Sequence, residues 1–300
     1  MNLPSAPARP LLPAWLRVIA ATLAFMLAAM STAVAFLIPS VREAFNSGDA
    51  ETHIWAALAI WPLALVAYLI LSAILTRVID RAPLSLLGLR LTWRALAALA
   101  VGTGASVLIA LAVAALAAAA LPASHDATLA ATADTLAHIP LGLLLVYLVA
   151  RSYVLQGIGE EVLMRGYLMA SLRARPRLAI LISAIAFTLP HLMSQGGQTS
   201  LLGHIVYLAV PFGFSLSAAA IGIAFRSVWG AVGIHGGFHI GLAVAAVAGL
   251  ADLTAPVLVL FGLLHAVVGL AILSRVSPER WAEISRRGPY AAKEAAIAER

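Results

Sequence analysis

The chain is predicted to be all-α, a polytopic membrane helix bundle of about eight transmembrane helices with an intramembrane polar cavity. Three observations predict this. Hydrophobic residues make up 62% of the 300 residues and charged ones only 11%, whereas soluble domains carry about 25% charged residues. Several apolar runs reach the roughly 20 residues that a bilayer-crossing helix needs. Arginines punctuate those runs at alternate connections.

The elements follow in order as 15–38, 55–76, 95–121, a long element at 139–172, 178–193, 203–225, 228–249 and 255–274. In the first, Arg9 and Arg17 precede an apolar stretch containing Ala33 and Ala35, which is also the layout of a signal peptide. Its apolar stretch is longer than the roughly 7–15 residues of a signal core, so an uncleaved span is expected. Arg77, Arg81, Arg90 and Arg94 fill the second connection, Arg173, Arg175 and Arg177 the fourth, Arg226 the sixth, and Arg275, Arg280, Arg286 and Arg287 the tail. The first connection has only Arg42, and 122–138, 194–202 and 250–254 hold no Lys or Arg. Positive charge marks the cytoplasmic side. The expected protein is integral to the cell membrane, multi-pass, with N- and C-termini cytoplasmic and 122–138 external. Residues 1–138 are read as N-terminal spans and loop, 139–249 as a core, and 250–300 as the last span and tail. After Pro278 the tail reads as either a short surface helix or a disordered segment, and Leu87-Gly88-Leu89-Arg90 as an interfacial turn.

Composition also bounds function. The net charge of +6 comes from arginines flanking apolar runs, so no nucleic-acid partner is expected, and the lipid bilayer is the first partner implied. Cysteine is absent, which excludes disulfides, thiol catalysis and thiolate-held metals.

A charge at membrane depth costs roughly 2.5–3.5 kcal/mol on insertion scales and marks a function by default. Of the 13 acidic residues, only Glu160 and Glu161 fall within a predicted span. Arg165 stands one turn after Glu161, where an i,i+4 pair neutralises two buried charges; Glu160 is left without a partner. Among the histidines, His53, His125 and His138 lie in connections, His204 lies near an outer end, and His265 reads as a hydrogen-bonded core residue. His191, His235 and His239 differ. Glu160 precedes Arg173 by 13 residues, His191 follows Arg177 by 14 and His239 follows Arg226 by 13, so all three sit roughly 20 Å from the arginine layer. His235 lies one turn nearer the arginines on the face of His239. Gly157, Gly159, Gly236, Gly237 and Ala218–Ala220 suit close helix approach, which either packs the bundle or leaves room for a cavity. Phe187 is expected to orient His191, Pro211 to kink the sixth span, and Pro190 to bend or end the fifth.

A desolvated carboxylate suits a general base. A His-x-x-x-His pair has the spacing of zinc sites in which a Glu acts on bound water, so Zn or another divalent metal held by His191, His235, His239 and Glu160 is a candidate cofactor.

These residues also carry a resemblance. Glu160-Glu161-x-x-x-Arg165-Gly166, then Phe187-x-x-x-His191, then His235-x-x-x-His239 resemble the three motifs of the CPBP family, the CAAX prenyl proteases and bacteriocin-processing enzymes also called the Abi family. Ser227-Val228-Trp229 is similar to the family's lead-in to the third motif, and the likeness covers about 139–245. It implies an intramembrane endopeptidase acting on a peptide or membrane-protein substrate. Glu160 would activate water with His191, Glu161 would pair with Arg165, and His235 with residue 239 would stabilise the oxyanion or hold a metal. The family usually has Asn where this chain has His239. Two other classes are weighed against it. A non-catalytic membrane scaffold or bacteriocin-immunity protein could use the same fold. A proton-coupled transporter could place Glu, Arg and His at the same depth, although no inverted repeat is visible.

Overall fold

The computed structural model describes residues 9–120, 138–193, 198, 200–248 and 254–292. The described residues form helices and no strand. Eight helices are long and apolar enough to cross a membrane: Ala14–Leu37, Ala50–Ile79, Trp93–Ala120, Leu141–Ser171, Pro176–Met193, Leu201–Phe225, Trp229–Val247 and Ala255–Leu273. This is the expected all-α polytopic bundle, and the protein is a multi-pass membrane protein. Most of the anticipated external segment 122–138 lies outside the described residues.

Local chemistry explains where the spans start and bend. The second begins at Ala50, five residues earlier than expected, because Asp49 caps it by accepting a 2.7 Å hydrogen bond from the Thr52 backbone N–H. That bond holds the Asp49 carboxyl below its ordinary value. The sixth span is interrupted at Leu208, between Leu201–Tyr207 and Ala209–Phe225. Pro211 offers no N–H to Tyr207, and its ring crowds that carbonyl, so the chain breaks one turn before the proline. In the fifth span the α-helix stops at Thr188, and Leu189–Met193 tightens into a 3-10 turn around Pro190.

Small residues set the packing. A stripe on the seventh span lies directly against the third: a Cβ at Gly233 would meet the Leu99 carbonyl at 2.3 Å, and one at Gly237 the Thr103 carbonyl at 2.5 Å. Side chains there would push the two spans apart. Gly236, on the neighbouring face, receives the ring of Tyr153 from the fourth span. These glycines therefore clamp the seventh span between the third and fourth rather than open a space.

The tail after Pro278 is a docked helix, Pro278–Arg287, with Trp281 and Ile284 buried. Arg226 grips Glu283 through two hydrogen bonds of 2.6 and 2.8 Å, and Arg280 adds a third at 3.0 Å. Beyond it Tyr290 is buried against Gly88, whose left-handed φ of 74° closes the turn after Leu84–Leu87. The Tyr290 hydroxyl donates to the Arg165 carbonyl at 3.1 Å.

Candidate functional site

The fourth span carries both glutamates, and it is not a plain α-helix. Wider π-helical turns at Ala150–Gly157 and Val162–Leu168 flank a single α-turn, Ile158–Glu161. Such turns recur at functional sites because they re-aim side chains within a helix. Gly157 makes the first one feasible, since a Cβ there would lie 2.5 Å from the Ser152 carbonyl.

Glu160 and Glu161 then point to different surroundings. Glu161 is fully buried, and its Oε1 accepts from Arg165 at 3.0 Å. The same oxygen lies 3.0 Å from Nδ1 of His235, brought in from the seventh span. Arg165 also donates to the Ser215 hydroxyl of the sixth span, which itself donates to the Pro211 carbonyl at 2.6 Å. The guanidinium lies over the Phe187 ring, 4.5 Å from its centroid. A carboxylate facing arginine can only accept, so His235 carries its proton on Nδ1 and presents Nε2 outward. That Nε2 stands 4.0 Å from Oε2 of Glu160.

His191 is oriented in the same way. Its Nδ1 lies 2.8 Å from the Phe187 carbonyl, an obligate acceptor, so the proton sits on Nδ1 and Nε2 is the accepting nitrogen. Its ring packs on Phe187 at 4.6 Å between centroids. Phe187 is wholly buried and supplies both the carbonyl and the ring that fix the imidazole. His239 stacks on His235, with ring centroids 5.4 Å apart and planes at 30°.

Glu160, His191, His235 and His239 all line one cavity of about 440 Å³. Glu161 and Arg165 are not in its wall; they sit behind His235 as a buried ion pair. Among the described residues, no three His, Asp or Glu side chains are grouped so as to hold a metal ion. With their protons on Nδ1, His191 and His235 have Nε2 as the nitrogen that would face an ion, should His191, His235, His239 and Glu160 hold one.

Other parts of the wall were not singled out by the sequence. Phe25, Met26 and Met30 of the first span and Tyr207 of the sixth contribute to it. Gln156, one turn before Glu160, does too, and its buried Oε1 has no hydrogen-bond partner among the described residues. Its position on the Glu160 face was the available signal. Arg151, ten residues into the fourth span, is a further charge at membrane depth.

The segment that supplies this constellation matches a known family. Residues 142–241 match the model described as type II CAAX prenyl endopeptidase Rce1-like. No curated protein and no solved structure gives a significant match. The matched segment holds Glu160, Glu161, Arg165, His191, His235 and His239 together. Over this third of the chain the protein is thus similar to the type II CAAX prenyl endopeptidases, which supports the resemblance to the CPBP family read from its three motifs.

Proposed function

We propose that the protein is an intramembrane endopeptidase that hydrolyses peptide bonds with water activated by Glu160 and His191. One observation carries the reading: Glu160 and the imidazoles of His191, His235 and His239 line a single cavity, backed by a buried Glu–Arg pair. A scaffold needs no such cavity, and a transporter needs a path through the bilayer, whereas Arg165, Glu161 and Phe187 close the floor beneath His235.

In the proposed step a substrate carbonyl enters the cavity with water between Glu160 and His191. Glu160 removes one proton, Nε2 of His191 accepts a hydrogen bond from the other, and the water oxygen bonds to the carbonyl carbon. The carbonyl electron pair moves onto oxygen. The proton on Glu160 passes to Nε2 of His235, and Glu161 holds the resulting imidazolium, as the carboxylate of a catalytic triad does. His235 and His239 then face the oxyanion as donors. When the C–N bond breaks, the proton goes to the leaving nitrogen, and acid and amine products result. Each proton in this sequence is held by a side chain of the chain itself.

The exposed wall residues Met30 and Met193 lie at the ends of their spans remote from the arginine-rich connections. With those connections and both termini cytoplasmic, a peptide or membrane-protein substrate reaches the site from the opposite face.

The test is Glu160→Gln, which removes a base and little volume. Cleavage of a peptide library by the purified protein should fall by about 10²–10⁴-fold, the usual contribution of a general base, while insertion and yield stay at wild-type level. Full activity in this variant would remove Glu160 from the mechanism.

A further inference from the structure

Two adjoining cavities at the arginine-rich end of the bundle share Arg177 and Trp281. One, of about 740 Å³, is a slot between the fifth, sixth and eighth spans, walled by Ile180, Phe212, Leu216 and Leu270. The other, of about 390 Å³, is a shelf at the start of the fifth span formed with Arg175 and Pro176. The slot opens sideways to the bilayer, because Leu181 and Leu270 in its wall are 43% and 56% exposed. Phe212 lies thirteen residues from the end of the sixth span at Phe225, so the slot reaches roughly 20 Å inward, beyond the midplane of a roughly 30 Å hydrocarbon core.

The chemistry changes sharply along this path. The slot offers apolar walls, and the shelf offers two exposed guanidinium groups at the level where a headgroup would sit. No acidic residue lines either cavity. The nearby Glu283 is already engaged by Arg226 and Arg280. Arg177 lies over the Trp281 ring, 5.4 Å from its centroid, a cation–π contact that holds the guanidinium at the shelf. Arginine forks match phosphate oxygens, and tryptophan favours the membrane interface.

We infer that this slot and shelf bind an anionic diacyl phospholipid from the leaflet on the arginine-rich side, its phosphate on Arg175 and Arg177 and one acyl chain beside Leu216 and Leu270. The lipid would bridge the start of the fifth span to the C-terminal helix Pro278–Arg287. The slot is walled by Phe212 and Leu216 of the sixth span, whereas the catalytic cavity is walled by Pro211 and Phe214. The test of the lipid site does not depend on peptide cleavage.

Native mass spectrometry of the full-length protein, titrated with phosphatidylglycerol, phosphatidylcholine or inorganic phosphate, tests the inference. Wild type should retain phosphatidylglycerol about tenfold better than phosphatidylcholine, as two basic side chains near an anionic headgroup predict. Arg175→Gln with Arg177→Gln should reduce phosphatidylglycerol to the phosphatidylcholine level. Leu270→Trp, at an exposed position that folding tolerates, should fill the slot and lower retention of both lipids. Equal retention of the two lipids by wild type would overturn the proposal. So would unchanged selectivity in the arginine variant, or inorganic phosphate displacing the lipid at equal concentration.

Discussion

His235 and His265 are both buried in membrane-spanning helices, yet their surroundings differ. His265, on the last span, is fully buried between two hydroxyls, with Nδ1 2.8 Å from Ser217 Oγ and Nε2 3.4 Å from Ser106 Oγ. Ser217 donates onward to the Phe214 carbonyl at 2.9 Å, so the chain of hydrogen bonds ends at an obligate acceptor. Neither nitrogen reaches the cavity, and no carboxylate is near. His235 has one nitrogen tied to a carboxylate and the other turned toward Glu160 and open space. A satisfied histidine pins three spans together. One that is half-satisfied, and backed by a charge, can take up and release a proton.

The strongest way to break this comparison is to remove the charge behind His235. Glu161→Gln leaves the Arg165 guanidinium buried without its counter-ion, which costs about 3–5 kcal/mol of stability when a buried pair is broken on one side. Thermal unfolding in detergent should shift strongly downward, and cleavage per folded molecule should also fall because the His235 imidazolium loses its partner. Glu160→Gln should leave the unfolding temperature almost unchanged, since that carboxylate faces the cavity. Similar unfolding temperatures for the two variants would mean that the two glutamates do not divide into a structural and a reacting role.

His265→Ala supplies the opposite half. It removes a neutral hydrogen-bonding bridge and leaves a void, so about 1–3 kcal/mol of stability should be lost. Peptide cleavage by the fraction that remains folded should match wild type. A loss of turnover beyond the loss of folded protein would place His265 in the reacting machinery.

These contrasts explain what could be read from the sequence. The spans were legible because apolar runs reach bilayer length and arginine cannot stay in hydrocarbon cheaply, so alternate connections announce themselves. The cavity residues Glu160, His191, His235 and His239 were legible for the same reason, since polar groups at one depth on three spans have few other places to go. Phe25, Met26 and Met30 were not, because a lipid-facing apolar side chain and a cavity-facing one look alike when both environments are apolar. The 3.0 Å contact between Glu161 and His235 joins residues 74 apart and depends on how the fourth span turns. That turning comes from π-helical segments that 3.6-residue spacing does not anticipate. A metal shell at the His-x-x-x-His spacing depends on side-chain directions, which depth alone does not fix. The tail was readable only as helix or coil, because its docking rests on Glu283 meeting Arg226 and Tyr290 meeting Gly88.

His239→Asn sharpens the cavity side further. It puts the family's usual residue at the one departure from the motif. If position 239 serves as a donor to the oxyanion, the amide should replace the imidazole with turnover kept within about tenfold, because an Asn N–H donates whatever the pH. Chelation of wild type should leave cleavage unchanged. Turnover lost in the variant together with a stoichiometric metal lost from it would instead reinstate a metal held by His239 and His235.

The smallest expected effect lies farthest from the cavity, at the salt bridge that docks the C-terminal helix. Hydrogen bonds from Arg226, with further help from Arg280, hold the Glu283 carboxyl down at about 2 against an ordinary 4.5. Its folded-state pKa is depressed, so its contribution to stability is complete above the ordinary value and is lost as pH falls toward about 2. Partly exposed ion pairs contribute about 0–1 kcal/mol, so docking should loosen only slightly over that window. The readout is fluorescence of the buried Trp281, taken as wild type minus Trp281→Phe, because the other five tryptophans of the chain contribute as well. That difference should shift to the red between pH 4.5 and 2 in wild type, while Glu283→Gln shows the shifted spectrum already at neutral pH. Cysteine labelling of position 284, possible because the chain has no cysteine of its own, should follow the same curve. A spectrum that is flat with pH in both proteins would mean that Trp281 and Ile284 hold the helix through apolar burial alone, with Glu283 contributing nothing measurable.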